Sequence, residues 1–79
     1  MKLEIITPDK SLFSGDVKLV QLPGSNGSFE LLNNHAPLIA TLKAGTIKIE
    51  ELQSATQHTF VINGGVIEVN NNKAIVLAE

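Results

Sequence analysis

The chain has 79 residues, room for one domain and no more. With no cysteine it has neither disulfide staples nor thiolate zinc sites, and its 43% hydrophobic content excludes a disordered chain. The formal net charge is −2, from six basic and eight acidic residues spread along the sequence, so no basic patch is on offer to phosphate and nucleic-acid binding is excluded. A chain this short buries only about 60% of the surface that its unfolded form exposes, so core packing and a partner are expected to stabilise it together.

Lys2 to Thr7 predicts a first strand, with Leu3 and Ile5 on one face and Lys2 and Glu4 on the other. Thr7-Pro8-Asp9-Lys10 reads as a turn. Leu12-Phe13 is a short apolar pair ending in a bend or bulge at Ser14-Gly15. Asp16 to Pro23 predicts a second strand. Val17 and Leu19 share one face, Val20 and Leu22 the other, so this strand is expected to be covered on both sides. The next stretch, Leu22 to Gly45, holds the densest turn chemistry of the chain. Pro23-Gly24 and Asn26-Gly27 are turn dipeptides, Ser28 to Leu32 is a short strand, and Asn33-Asn34 breaks it. His35 then precedes Ala36-Pro37, where Pro37 fixes φ and lacks a backbone donor, which predicts a tight, irregular corner. A corner of specific chemistry on a strand scaffold is a natural place for function.

Leu38 to Leu42 follows as a strand and Lys43-Ala44-Gly45 as a turn. Thr46 to Leu52 alternates, with Ile47 and Ile49 inward, and Gln53 to Gln57 is a polar loop. His58 to Ile62 is its partner strand, with Phe60 and Ile62 toward the core. Asn63-Gly64-Gly65 reads as a turn that uses the conformational freedom of glycine. Val66 to Asn70, a turn at Asn71-Asn72, and Lys73 to Ala78 complete the chain. No window holds a 3.6-residue period and no capped helix start is present. The expected fold is all-β: a small sandwich of two antiparallel sheets with about eight to ten short strands and no substantial helix. Met1 to Thr7 has no long apolar core and no window approaches the ~20 apolar residues of a membrane span. A soluble protein kept in a reducing compartment is expected, able to sit on a membrane assembly through other proteins.

Catalytic chemistry is hard to assemble from these residues. Serines 11, 14, 25, 28 and 54 lie in no nucleophile-elbow context. His35 and His58 have no ligand-like spacing, and a metal site would need them to meet a carboxylate such as Glu30 or Glu68. His58 reads as a solvated strand-start residue, and His35 as a corner histidine whose ring bonds nearby backbone or a partner. Gly24, Gly27 and Gly64-Gly65 form no phosphate cradle, and Glu50-Glu51 point to opposite faces of a strand. No catalytic residue, cofactor or metal is expected. Surplus apolar surface on Val17–Leu22 and Leu38–Leu42 instead favours an interaction module.

Leu3, Thr7-Pro8, Phe13-Ser14-Gly15, Val20 to Gly27, Phe29 to Ile39, Leu42, Gly45, Ile47, Ile49, Phe60, Ile62, Gly64-Gly65, Ile67 to Val69, Asn72 and Val76 to Ala78 together resemble the epsilon subunit of F-type ATP synthases. The match runs over nearly the whole chain, and its core, from Gly27 through Asn34-His35-Ala36-Pro37-Leu38, is specific. The resemblance implies that residues 1–79 form one β-sandwich domain of the epsilon N-terminal type. It implies a non-catalytic rotor subunit at the foot of the central stalk that binds the gamma subunit, rests on the ring of c subunits and couples proton or sodium flow to ATP synthesis. Membrane contact would be indirect, on the cytoplasmic face of a bacterial plasma membrane in preference to an organellar inner membrane or a thylakoid. By the same resemblance Asn26, Gly27, Ser28, Phe29 and Glu30 form the c-ring-facing loop, and Leu31, Asn33, His35, Ala36, Pro37 and Leu38 lie at the gamma contact. Two departures stand out. The family often has a carboxylate or another polar residue where Ser28 stands, so any ion pair to the c-ring would fall to Glu30. Typical members also continue into two C-terminal helices that can block ATP hydrolysis, so a chain of this extent is expected to assemble and couple without that inhibitory arm. The alternative from residue chemistry alone is a stand-alone ligand- or metal-binding β-domain using His35, His58 and Glu30.

Overall fold

The computed structural model describes residues 1–79 and contains no helix. Six strands follow in order: β1 (Lys2–Ile6), β2 (Ser11–Gly24), β3 (Gly27–Leu32), β4 (Leu38–Glu51), β5 (Gln57–Asn70) and β6 (Lys73–Ala78). Hydrogen-bonded neighbours run β1-β6-β5-β4-β2-β3, and a further β1–β2 ladder closes the sheet on itself, leaving β3 outboard of the closure.

The all-β expectation holds, while the strand count differs for a physical reason. β2, β4 and β5 are each 14 residues long and serve both walls of the sandwich. β2 pairs β1 through Ser11–Asp16 and β3 through Leu19–Gly24. β4 and β5 pair along their whole length, and β4 also meets β2 through Lys48–Glu51. The segments read as turns at Lys43–Gly45 and Asn63–Gly65 are bends inside continuous strands. They face one another, Lys43 opposite Gly64 and Gly45 opposite Ile62, so the ladder continues through them. Gly65 (φ +154) sits where β6 passes so closely that a Cβ would lie 2.4 Å from the Leu77 carbonyl oxygen. One ladder, β1 with β6, is parallel rather than antiparallel.

β2 shows a second difference. Its pairing register with β4 shifts between Val17 and Leu19, a bulge that adds one residue and reverses the inside–outside phase. Val17, Val20 and Leu22 therefore all point inward and are fully buried, and the strand is not covered on both sides. Alternation elsewhere places sixteen apolar residues in one core, among them Leu3, Ile5, Leu31, Ile47, Ile49, Ile67, Val69 and Val76. Full burial of each large aliphatic side chain is worth about 1.5–3 kcal/mol. No polar or charged residue is buried with them.

Candidate functional site

β3 presents two consecutive pieces of irregular surface, a tip before it and a corner after it. The tip is a two-residue turn at Ser25-Asn26, because Gly24 already pairs with Gly27. The Ser25 N–H donates to the Thr41 carbonyl at 3.0 Å, and the Thr41 hydroxyl donates to Ser25 Oγ at 2.8 Å, which fixes the tip to β4. Asn26, Gly27, Ser28 and Glu30 are exposed. Phe29 is half-buried, packed against the core beside Gly24, where a Cβ would come within 2.8 Å of its ring. The tip and Ile39–Thr41 line an open groove of about 610 Å³.

The corner begins where β3 ends. Asn33, Asn34, His35, Ala36 and Pro37 are exposed and Leu38 is half-buried. Asn34 takes left-handed backbone (φ 63), a conformation that asparagine tolerates better than most residues. The His35 N–H donates to the Leu32 carbonyl at 3.3 Å, and its ring Nδ1 donates to the Ala36 carbonyl at 2.7 Å, the backbone contact expected for a corner histidine. Leu31 is fully buried and supports the segment from inside, so its side chain has no surface to offer a partner. The apolar groups beside the corner that do face solvent are Leu32, 54% exposed, and Ile39, 72% exposed. Neither stands among the individually named gamma-facing residues, although both lie within stretches that the sequence pattern singles out, and their outward phase in β3 and β4 exposes them. Of the two stretches expected to hold surplus apolar surface, Leu38–Leu42 exposes Ile39, whereas Val17–Leu22 leaves only Leu19 partly open. Val66 and Leu77 form a cross-strand pair on the outer face of β5 and β6, with Ile39 on the neighbouring strand.

The titratable groups are distributed, not convergent. The Lys18 ammonium lies 3.0 Å from Glu50, and with the Gln57 amide it holds the Glu50 carboxyl below the ordinary value. His58 is half-buried rather than solvated. Its Nε2 meets Glu51 at 2.5 Å, and its ring lies against Phe13 and Phe60 at centroid distances of 5.7 and 6.4 Å. Glu30 and His58 line one groove that does not include His35. No three His, Cys, Asp or Glu side chains come together.

The sequence profile of the family described as "ATP synthase, Delta/Epsilon chain, beta-sandwich domain" matches residues 1–79. The chain belongs to this family. It is 48% identical over 77 residues to the ATP synthase epsilon chain of Chlorobaculum tepidum, covering 98% of this chain and 86% of that relative. It is 46% identical over 79 residues to the ATP synthase epsilon chain of Nitratiruptor sp., covering 100% of this chain and 60% of the relative. The delta/epsilon fold is also seen in the mitochondrial ATP synthase central stalk and c-ring assembly of Tetrahymena thermophila (TM-score 0.80, 21% identity, 99% of this chain and 62% of that one). A second assembly, the OSCP/F1/c-ring of the Euglena gracilis mitochondrial ATP synthase, gives a TM-score of 0.84 at 19% identity over 96% of this chain and 48% of that one. At these identities the likeness shows the shared fold.

Proposed function

We propose that this chain is the epsilon-type stalk subunit of an F-type ATP synthase, a binding and coupling element and not a catalyst. The observation that carries the reading is the end-to-end family match together with 48% identity to an epsilon chain. On this reading residues 1–79 act as one β-sandwich unit that rotates with the gamma subunit on the c-ring. The exposed tip at Asn26, Gly27, Ser28 and Glu30 meets the c-ring, with Phe29 anchoring it from inside. The corner at Asn33, His35, Ala36 and Pro37, flanked by Leu32 and Ile39, meets gamma. Both segments are supported by their exposure and by backbone tethering that presents them without helix or flexible linker. A rotor part must pass torque without yielding, and a closed set of ladders with 39 backbone hydrogen bonds inside its strands suits that task. Its place is the membrane-attached stalk, reached through the c-ring, and the bacterial relatives favour the cytoplasmic face of a plasma membrane.

Co-purification of the full chain with a recombinant gamma subunit tests the reading. A stoichiometric complex is expected. Failure to bind gamma, with the chain folded by circular dichroism, would overturn it.

A further inference from the structure

The β5–β6 turn reaches well beyond its own hairpin. Asn71 and Asn72 both adopt left-handed backbone (φ 51 and 58), which reverses the chain tightly between β5 and β6. The Asn72 side chain then leaves the turn and crosses to the corner after β3. Its Oδ1 accepts the Asn34 N–H at 2.7 Å, and its Nδ2 donates to Asn33 Oδ1 at 3.1 Å. Asn33 Oδ1 also accepts from the Met1 ammonium at 2.5 Å, and the Asn72 carbonyl accepts the Lys2 N–H at 3.1 Å. Three segments far apart in sequence thus meet on one amide. The other hydrogen bonds of Asn34, His35 and Ala36 stay within the corner. Pro37 has no donor to add a tether.

We propose that Asn72 is a positioning residue for the 33–37 corner, holding it in the shape that gamma receives. This rests on the reading that the corner faces gamma. An exposed segment without ladder hydrogen bonds samples many conformations unless something ties it down, and ordering it on binding weakens affinity. The two amide hydrogen bonds of Asn72 do that ordering in advance, from a turn whose own backbone is fixed by the β5–β6 ladder.

The test uses the full chain beginning at Met1 and three variants. N72G keeps the left-handed backbone and removes both ties. N72A removes them with a Cβ in place. N72D keeps an oxygen for the Asn34 N–H and sets a carboxylate against Asn33 Oδ1. Amide hydrogen exchange by NMR reads the Asn34 tie, exchange along the β4–β5 ladder reads the fold, and titration with recombinant gamma subunit reads binding. N72G and N72A are expected to speed Asn34 exchange and to weaken gamma binding about tenfold, with ladder exchange unchanged. N72D is expected to keep Asn34 protected and to recover part of the affinity, a rescue that a general loss of stability does not produce. Wild-type affinity in N72G and N72A, or Asn34 exchange that does not change in them, would overturn the proposal. A wild-type chain that fails to bind gamma overturns the functional reading instead, and the Asn34 exchange still decides whether Asn72 orders the corner.

Discussion

Leu31 and Leu32 are adjacent leucines with opposite surroundings, the first fully buried and the second 54% exposed. Strand alternation is the cause, since Phe29 and Leu31 face the core while Glu30 and Leu32 face out. L31A is expected to cost about 2–5 kcal/mol in urea unfolding, because a cavity opens in a packed core. L32S is expected to change stability by less than about 0.5 kcal/mol while weakening the complex with gamma. Equal losses from the two variants would show that Leu32 is structural. The same pair marks how far a pattern of residues can be read on its own. The period of two is legible from Ser28 to Leu32 and carries the inward phase of Leu31, whereas family position alone assigns that residue to a contact. Glu50 carries a pH effect. Lys18 first, then Gln57, favours its ionised form in the folded chain, so its carboxyl is lowered relative to the unfolded state. That contribution is complete at neutral pH and is lost as pH falls through the lowered value. Thermal unfolding of E50Q should therefore sit slightly below wild type at neutral pH and converge with it in strong acid. The gap should also narrow in high salt, since the Lys18 end of the pair lies open to solvent. A difference that persists in acid would assign the effect to something other than the carboxylate charge.

At the scale of elements, turns and bends are written with the same residues. Asn71-Asn72 and Thr7–Lys10 reverse the chain as read, the latter through the Thr7 N–H to Lys10 carbonyl hydrogen bond at 2.8 Å. Lys43-Ala44-Gly45 and Asn63-Gly64-Gly65 carry the same signals yet only bend strands that continue through them. The distinction is non-local: each break lies opposite the other, and the pairing of Lys43 with Gly64 keeps both strands in one ladder. One-dimensional pattern holds no such information, which is why the short segments are legible and their fusion into long strands is not. The bulge near Lys18 is hidden for the same reason, because its effect appears only as a register shift against β4. The bend at Gly65 is also a point of weakness. G65A would bring a Cβ against the Leu77 carbonyl in a backbone conformation unfavourable to side chains, and about 2–4 kcal/mol of stability is expected to be lost in urea titration. A neutral G65A would mean that β6 can move away without cost.

For the whole molecule, the all-β class and the family are legible because alternation, turn dipeptides and the Asn34-His35-Ala36-Pro37 corner are local patterns. The reach of Asn72 to that corner is not, because it joins residues 38 and 39 positions apart. Function at this scale is a matter of seating. S28A and E30Q leave the core untouched, so circular dichroism and unfolding midpoints should match wild type while retention on c-ring-containing membranes falls. Loss of the fold in either variant would make those residues structural. The parallel β1–β6 ladder has a further bearing, on how the chain is made. β1 is bound on one flank by β2 and on the other by β6, Lys2 opposite Lys73 and Ile6 opposite Leu77. During translation, β1 must therefore wait with one edge bare until β6 leaves the ribosome. Closure by so distant a contact makes for slow folding, and the nascent chain stays vulnerable to strand exchange with its neighbours until β6 has emerged.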